Sequence, residues 1–130
     1  MSVLLDTNAF LWQTLFKDGG ELGPKTLERM QSAEIVYVSS ISVVEIQIKA
    51  MLGRLTAPSD CGSLIAEAGD VVLNFNEVAA DALTQFPKLA RHDPFDRMIL
   101  ASAYAHNLTL VTSDKTLLSL DLPFIINARL

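Results

Sequence analysis

Asp6, Glu45, Asp93, Asp96 and Asp114 are acids placed where apolar segments begin or end. Asp6 closes the short apolar run Val3-Leu4-Leu5 and opens Asp6-Thr7-Asn8. Glu45 lies about one turn into an apolar helix-like stretch, Asp93 and Asp96 open another in Asp93-Pro94-Phe95-Asp96, and Asp114 ends Thr112-Ser113-Asp114. Carboxylates brought together repel, so at least one resists ionisation unless a counter-charge is supplied. A divalent cation supplies it. Cys61 is the only cysteine, and neither His92 nor His106 stands at a metal-motif spacing. An oxygen-only donor set of this kind favours Mg²⁺ or Mn²⁺ over zinc. The chemistry such a site supports best is metal-assisted phosphodiester hydrolysis, in which the ion activates a water and neutralises the leaving oxyanion.

Each acid also has a structural use. Asp6 and Asp114 are placed to cap the helices that follow them. Ser42-Val43-Val44-Glu45 fits a capping box, and Glu45 with Lys49 fits an i, i+4 surface ion pair. Asp93 at an N-cap, Pro94 at N1 and Asp96 near the dipole's positive end make a good helix start, and for Asp93 capping is the preferred reading. Capping does not explain why four separate elements would each bring an acid to one edge.

The elements that must position these acids follow from hydrophobic patterning. Strands are expected at Val3–Leu5, Ile35–Val38, Val71–Phe75, Leu108–Thr112 and Pro123–Ile126, each a short apolar or β-branched run. Helices are expected at Ala9–Phe16, Lys25–Ser32, Val43–Leu52, Cys61–Ala68, Glu77–Phe86, Phe95–His106 and Lys115–Leu120. Gly53 and Pro58 break the chain between two of them. Alternation of this kind implies an α/β fold, a three-layer α/β/α sandwich around a four- or five-stranded parallel sheet. In such sheets the carboxyl ends of the strands and the N-termini of the helices share the edge where ligands bind.

The 130 residues are expected to form one domain, and a 50% hydrophobic content is enough for a real core. No apolar run approaches a membrane span, and the N-terminus lacks the basic region of a signal peptide, so a cytoplasmic location is expected. A net charge of −5 is the wrong sign for gripping phosphates by lysine and arginine alone. It leaves a metal-dependent site open, because bound cations invert the local potential.

Leu4-Leu5-Asp6-Thr7-Asn8, Ser39-x-x-Ser42-x-x-Glu45-Ile46, the run from Asp93 to Ala101 and Leu110-Val111-Thr112-Ser113-Asp114 carry a resemblance. In order and spacing they resemble the PIN domain, more closely the VapC-type ribonuclease toxins of toxin–antitoxin modules, from Val3 to Ile126. The resemblance implies an active Mg²⁺- or Mn²⁺-dependent endoribonuclease with Asp6, Glu45, Asp96 and Asp114 as metal ligands. It also implies that Asn8 or Thr112 orders the site or its waters, with Asp93 a nearby extra acid. One departure is Val44, where close relatives often carry an aromatic residue before the helix glutamate.

The implied partners are an RNA substrate, a cognate antitoxin and a second copy of the chain. Phe10, Trp12, Leu15 and Phe16 are candidates for a protein interface, with core burial the competing reading for Phe10 and Trp12. His92 reads as a solvent-exposed loop residue beside the acids, and His106 as part of a helix's last turn. Lys49, Arg54, Lys88, Arg91, Arg97 and Lys115 are either a basic rim for RNA or scattered surface charge. Two rival readings are a non-catalytic PIN-like interaction module and a receiver-like phosphoryl-acceptor domain.

Overall fold

The computed structural model describes residues 1–56 and 59–130, and the break expected at Pro58 lies outside the described residues. Strands β1 (Val3–Leu5), β2 (Val36–Ser39), β3 (Val71–Leu73), β4 (Thr109–Thr112) and β5 (Ile125–Asn127) form one sheet in the order β3-β2-β1-β4-β5. Every pairing is parallel, with Leu4 opposite Tyr37 on one side and Leu110 on the other. A receiver-like domain has the order 2-1-3-4-5, so this topology removes that rival.

Helices α1 (Thr7–Leu15), α2 (Pro24–Ser32), α3 (Ser40–Met51), α4 (Cys61–Glu67), α5 (Glu77–Ala82), α6 (Pro94–Ala105) and α7 (Lys115–Ser119) cover both faces. The period-2 alternation of β1 divides the core. Val3 and Leu5 face one side with Phe10, Val38, Ile46, Ile65 and Val111. Leu4 faces the other with Leu89, Ile99, Leu100, Leu110 and Leu117. All three β1 residues are buried, which explains why the strand reads as an unbroken apolar run. Among the described residues no helix is long and apolar enough to cross a membrane.

Several boundaries differ from the expected ones, each for a local reason. α1 starts at Thr7, because the Asp6 side chain caps it by accepting from Ala9 N at 2.8 Å. α3 starts at Ser40, because Ser39 Oγ accepts from Ile41 N. β3 stops at Leu73 instead of Phe75: Phe75 N donates to Ser40 Oγ, and Asn76 turns to cap α5. The helix expected to reach Phe86 loses α geometry after Ala82 and continues as tight 3₁₀ turns at Leu83–Gln85 and Pro87–Leu89. Pro87 disfavours helical backbone at the residue before it, and Phe86 has φ −124°, ψ 61°. The last strand is Ile125–Asn127, shifted from the expected Pro123–Ile126. Phe10 is wholly buried and belongs to the core, not to an interface.

Strand order reverses at β1. The chain adds β2 and β3 on one side, then returns through α5 and α6 to place β4 on the other. A crevice forms outside the carboxyl ends of strands at such a switch point. Asp6 follows β1 and Asp114 follows β4, so two of the acids flank it.

A candidate metal centre at the carboxyl edge of the sheet

A cavity of about 470 Å³ opens at this edge, and Asp6, Glu45, Asp93, Asp96 and Asp114 all line it, with Asn8 on its exposed margin. The five acids expected to meet are therefore in one place. The mechanisms that hold them differ.

Asp6 is the most deeply set, with 5% of its surface exposed. Its Oδ1 accepts the Ala9 amide, and its Oδ2 accepts Thr112 Oγ1 at 2.6 Å. Thr112 Oγ1 in turn accepts Asp114 N at 3.1 Å, so one hydroxyl ties the end of β1 to the start of α7. Burial pushes the Asp6 carboxyl up to about 6 from its ordinary 3.8, with a further upward push from Glu45. Hydrogen bonds from Thr112, Ala9 and Ser113 hold it back from going higher.

Glu45 is not part of a capping box. Ser39 caps α3, which places Ser42 inside the first turn, where it is buried. Glu45 instead reaches across to α1: its Oε1 accepts Thr7 Oγ1 at 2.6 Å, and Ser42 Oγ lies 3.0 Å from the same hydroxyl. Its Oε2 accepts Lys49 Nζ at 2.6 Å. The expected i, i+4 pair is present, but it is no surface pair, since the Glu45 side chain is only 6% exposed. This hydrogen bond to a carboxylate raises the Lys49 ammonium above its usual value.

Asp96 sits at the start of α6, where Asp93 caps the helix as expected by accepting Phe95 N and Asp96 N. Burial pushes its carboxyl up to about 7, and the charges of Asp114, Asp93, Glu45 and Asp6 push in the same direction. Asp96 thus experiences every other acid of the site. Asp114 caps α7 through Leu117 N at 2.9 Å.

His92 departs from its expected role as an exposed loop residue. Its side chain is 21% exposed, and Nε2 lies 3.2 Å from Asp96 Oδ2 and 3.5 Å from Asp114 Oδ1. Nε2 is buried and makes no hydrogen bond. Donor atoms of His92, Asp96 and Asp114 all fall within 4.8 Å of one another. Among the described residues this is the tight group; Asp6 and Glu45 line the same cavity outside it. The atoms able to hold an ion here are therefore not purely oxygen.

A divalent cation fits this arrangement. Acids outnumber bases around the cavity, burial and then neighbouring acids make two carboxyls resist ionisation, and a buried imidazole nitrogen makes no hydrogen bond. Sequence reasoning missed Thr7 and His92. Thr7 had a signal, a hydroxyl next to the first acid; for His92 the signal was adjacency to Asp93, but its direction depends on the preceding 3₁₀ turn. Of the basic residues, Lys49 and Lys115 line the cavity together with Arg129, which the sequence did not single out. Arg97 turns away, its Nη1 donating to Ala90 O.

A family model for the PIN domain matches residues 3–122. The chain belongs to the PIN-domain family. Within it, the likeness is to VapC-type toxins. The structure is similar to a chain of VapBC from Salmonella typhimurium bound to DNA, with TM-score 0.65 and 25% identity over 98% of each chain. It is also similar to FitAcB from Neisseria gonorrhoeae, with TM-score 0.62 and 26% identity over 98% of each. VapBC2 from Rickettsia felis, bound to a promoter DNA fragment, shares the fold at TM-score 0.66 and 19% identity, over 98% of this chain and 97% of that one. A search of curated proteins finds no match.

Proposed function

We propose that the chain, as a single nuclease domain over residues 1–130, is a metal-dependent endoribonuclease and the toxin of a type II toxin–antitoxin pair. The observation that carries this reading is an acid from each of four separate elements lining one cavity at the switch point of the sheet. Asp6, Glu45, Asp96 and Asp114 would hold Mg²⁺ or Mn²⁺. Bound there, the ion would supply an activated water and neutralise the leaving oxyanion.

The chain's own residues prepare the site. Thr112 and the Ala9 amide fix the Asp6 carboxylate, leaving it no freedom to swing from the cavity. Thr7 orients Glu45 from the neighbouring helix. Lys49, Lys115 and Arg129 stand around the acids, where they would take the phosphates flanking the scissile bond and offset the protein's net negative charge. Thr112 supports the acids through its hydroxyl, and Asn8 would do so from the cavity margin.

Support for an antitoxin partner comes from the complexes that the structure resembles, which include VapBC and FitAcB. Leu15 and Phe16 at the end of α1, and Val44, Ile48, Met51 and Leu52 on and just after α3, are exposed apolar residues of the kind such a partner or a second copy would cover. The expected cytoplasmic location accords with this role. RNA cleavage by the wild type and by Asp6→Asn, each with Mg²⁺, with Mn²⁺ and with EDTA, tests the reading. Cleavage should require the metal and vanish in the variant; activity undiminished by EDTA would overturn it.

A further inference from the structure

We propose that His92 Nε2 is itself a ligand of the divalent cation and biases the site toward Mn²⁺ over Mg²⁺. This rests on the metal-site reading above and adds a nitrogen to its carboxylates. Adjacent ligands around an octahedral ion with bonds near 2.1 Å lie about 3.0 Å apart. The separations of 3.2 Å and 3.5 Å from His92 Nε2 to Asp96 and Asp114 come close to that spacing. Nε2 makes no hydrogen bond to either carboxylate, although both lie within ion-pairing distance of it. A buried polar atom with no hydrogen bond is costly, and coordination would remove the cost.

The backbone holds the imidazole in place. Leu89, 2% exposed, anchors the 3₁₀ turn beneath the loop, and His92 N donates to Leu89 O at 2.9 Å. On the other side Asp93 is fixed as the cap of α6, and Arg97 Nη1 grips Ala90 O. The loop from Ala90 to Asp93 is therefore tied at both ends before any ion arrives. Imidazole suits transition metals better than it suits Mg²⁺, which prefers oxygen. One nitrogen among carboxylates thus tilts selectivity without excluding Mg²⁺.

The test uses the full-length protein with MnCl₂ or MgCl₂ alone. Pulsed electron paramagnetic resonance of protein-bound Mn²⁺ should show the ¹⁴N coupling of a directly bound imidazole, absent in His92→Gln. Calorimetric titration should show His92→Gln losing Mn²⁺ affinity by roughly tenfold to a hundredfold and Mg²⁺ affinity by clearly less. His106, the other histidine, caps the far end of α6 and serves as control: His106→Gln should keep the coupling. Mn²⁺ bound without ¹⁴N coupling, and lost on Asp96→Asn, would overturn the role of His92 while sparing the carboxylate site. A coupling that survives His92→Gln would overturn it too. If the wild type binds no Mn²⁺ at all, both readings fall.

Discussion

Replacing Asp6 by Asn should stabilise the metal-free protein at neutral pH. The Asp6 carboxyl titrates near 6 in the folded chain against 3.8 ordinarily, a difference worth about 3 kcal/mol. Because the folded value is the higher one, ionisation opposes folding. The contribution of the neutral carboxyl is therefore complete below about pH 4, is lost as pH rises through 6, and is gone above it. Asn cannot ionise, so this loss is absent in the variant. Its Oδ1 can still cap α1, while its Nδ2 must donate to Thr112 Oγ1, which costs about 1 kcal/mol at every pH. Urea unfolding in EDTA, followed by circular dichroism, should show the variant gaining on the wild type by at most about 3 kcal/mol between about pH 4 and pH 7.5. A difference between the two proteins that does not change with pH would refute the argument.

Three further outcomes follow from the packing and the hydrogen bonds. Asp93→Asn should reduce RNA cleavage far less than Asp6→Asn, because Asn caps α6 nearly as well; equal loss in the two, with folding intact, would show Asp93 to be a ligand. Thr7→Val should leave Glu45 Oε1 without its donor in a buried setting, lowering stability by about 1.5–3 kcal/mol in a denaturant titration. Phe10→Ala should cost about 3–5 kcal/mol by the same measurement, since the ring is wholly buried, whereas Leu15→Ser, at a 43% exposed position, should change stability little.

The parts of the fold that were legible in the sequence are those fixed by local pattern. Val3-Leu4-Leu5 is buried on both faces and reads that way; Phe95 to His106 repeats at helical spacing and forms α6 with His106 as its C-cap. The acidic edge was legible for a topological reason, since strand ends and helix starts in a parallel sheet converge whatever their separation in sequence. Legibility failed where one side chain chose among equivalent partners. Ser39, Ser40 and Ser42 are all able to cap, and only the tertiary setting assigns Ser39 to α3, Ser40 to Phe75 N and Ser42 to the neighbourhood of Thr7. His92 was hidden because its direction is set by the turn at Pro87–Leu89, which lies past the helix expected at Glu77–Phe86, in a stretch where no element is expected.

Asp6, Asp93 and Asp114 each use one carboxylate oxygen to begin a helix. Two of the three, Asp6 and Asp114, are also proposed for chemistry, so that for them the two duties are written in the same side chain. Divergence of such a chain is constrained by this economy. A descendant that abandons catalysis cannot simply drop these acids to alanine, because three helices would lose their caps at once. Drift at the three positions should be channelled to Asn, Ser or Thr, which cap without charge. A lineage that has lost its activity would then keep the outline of the site in polar, uncharged form.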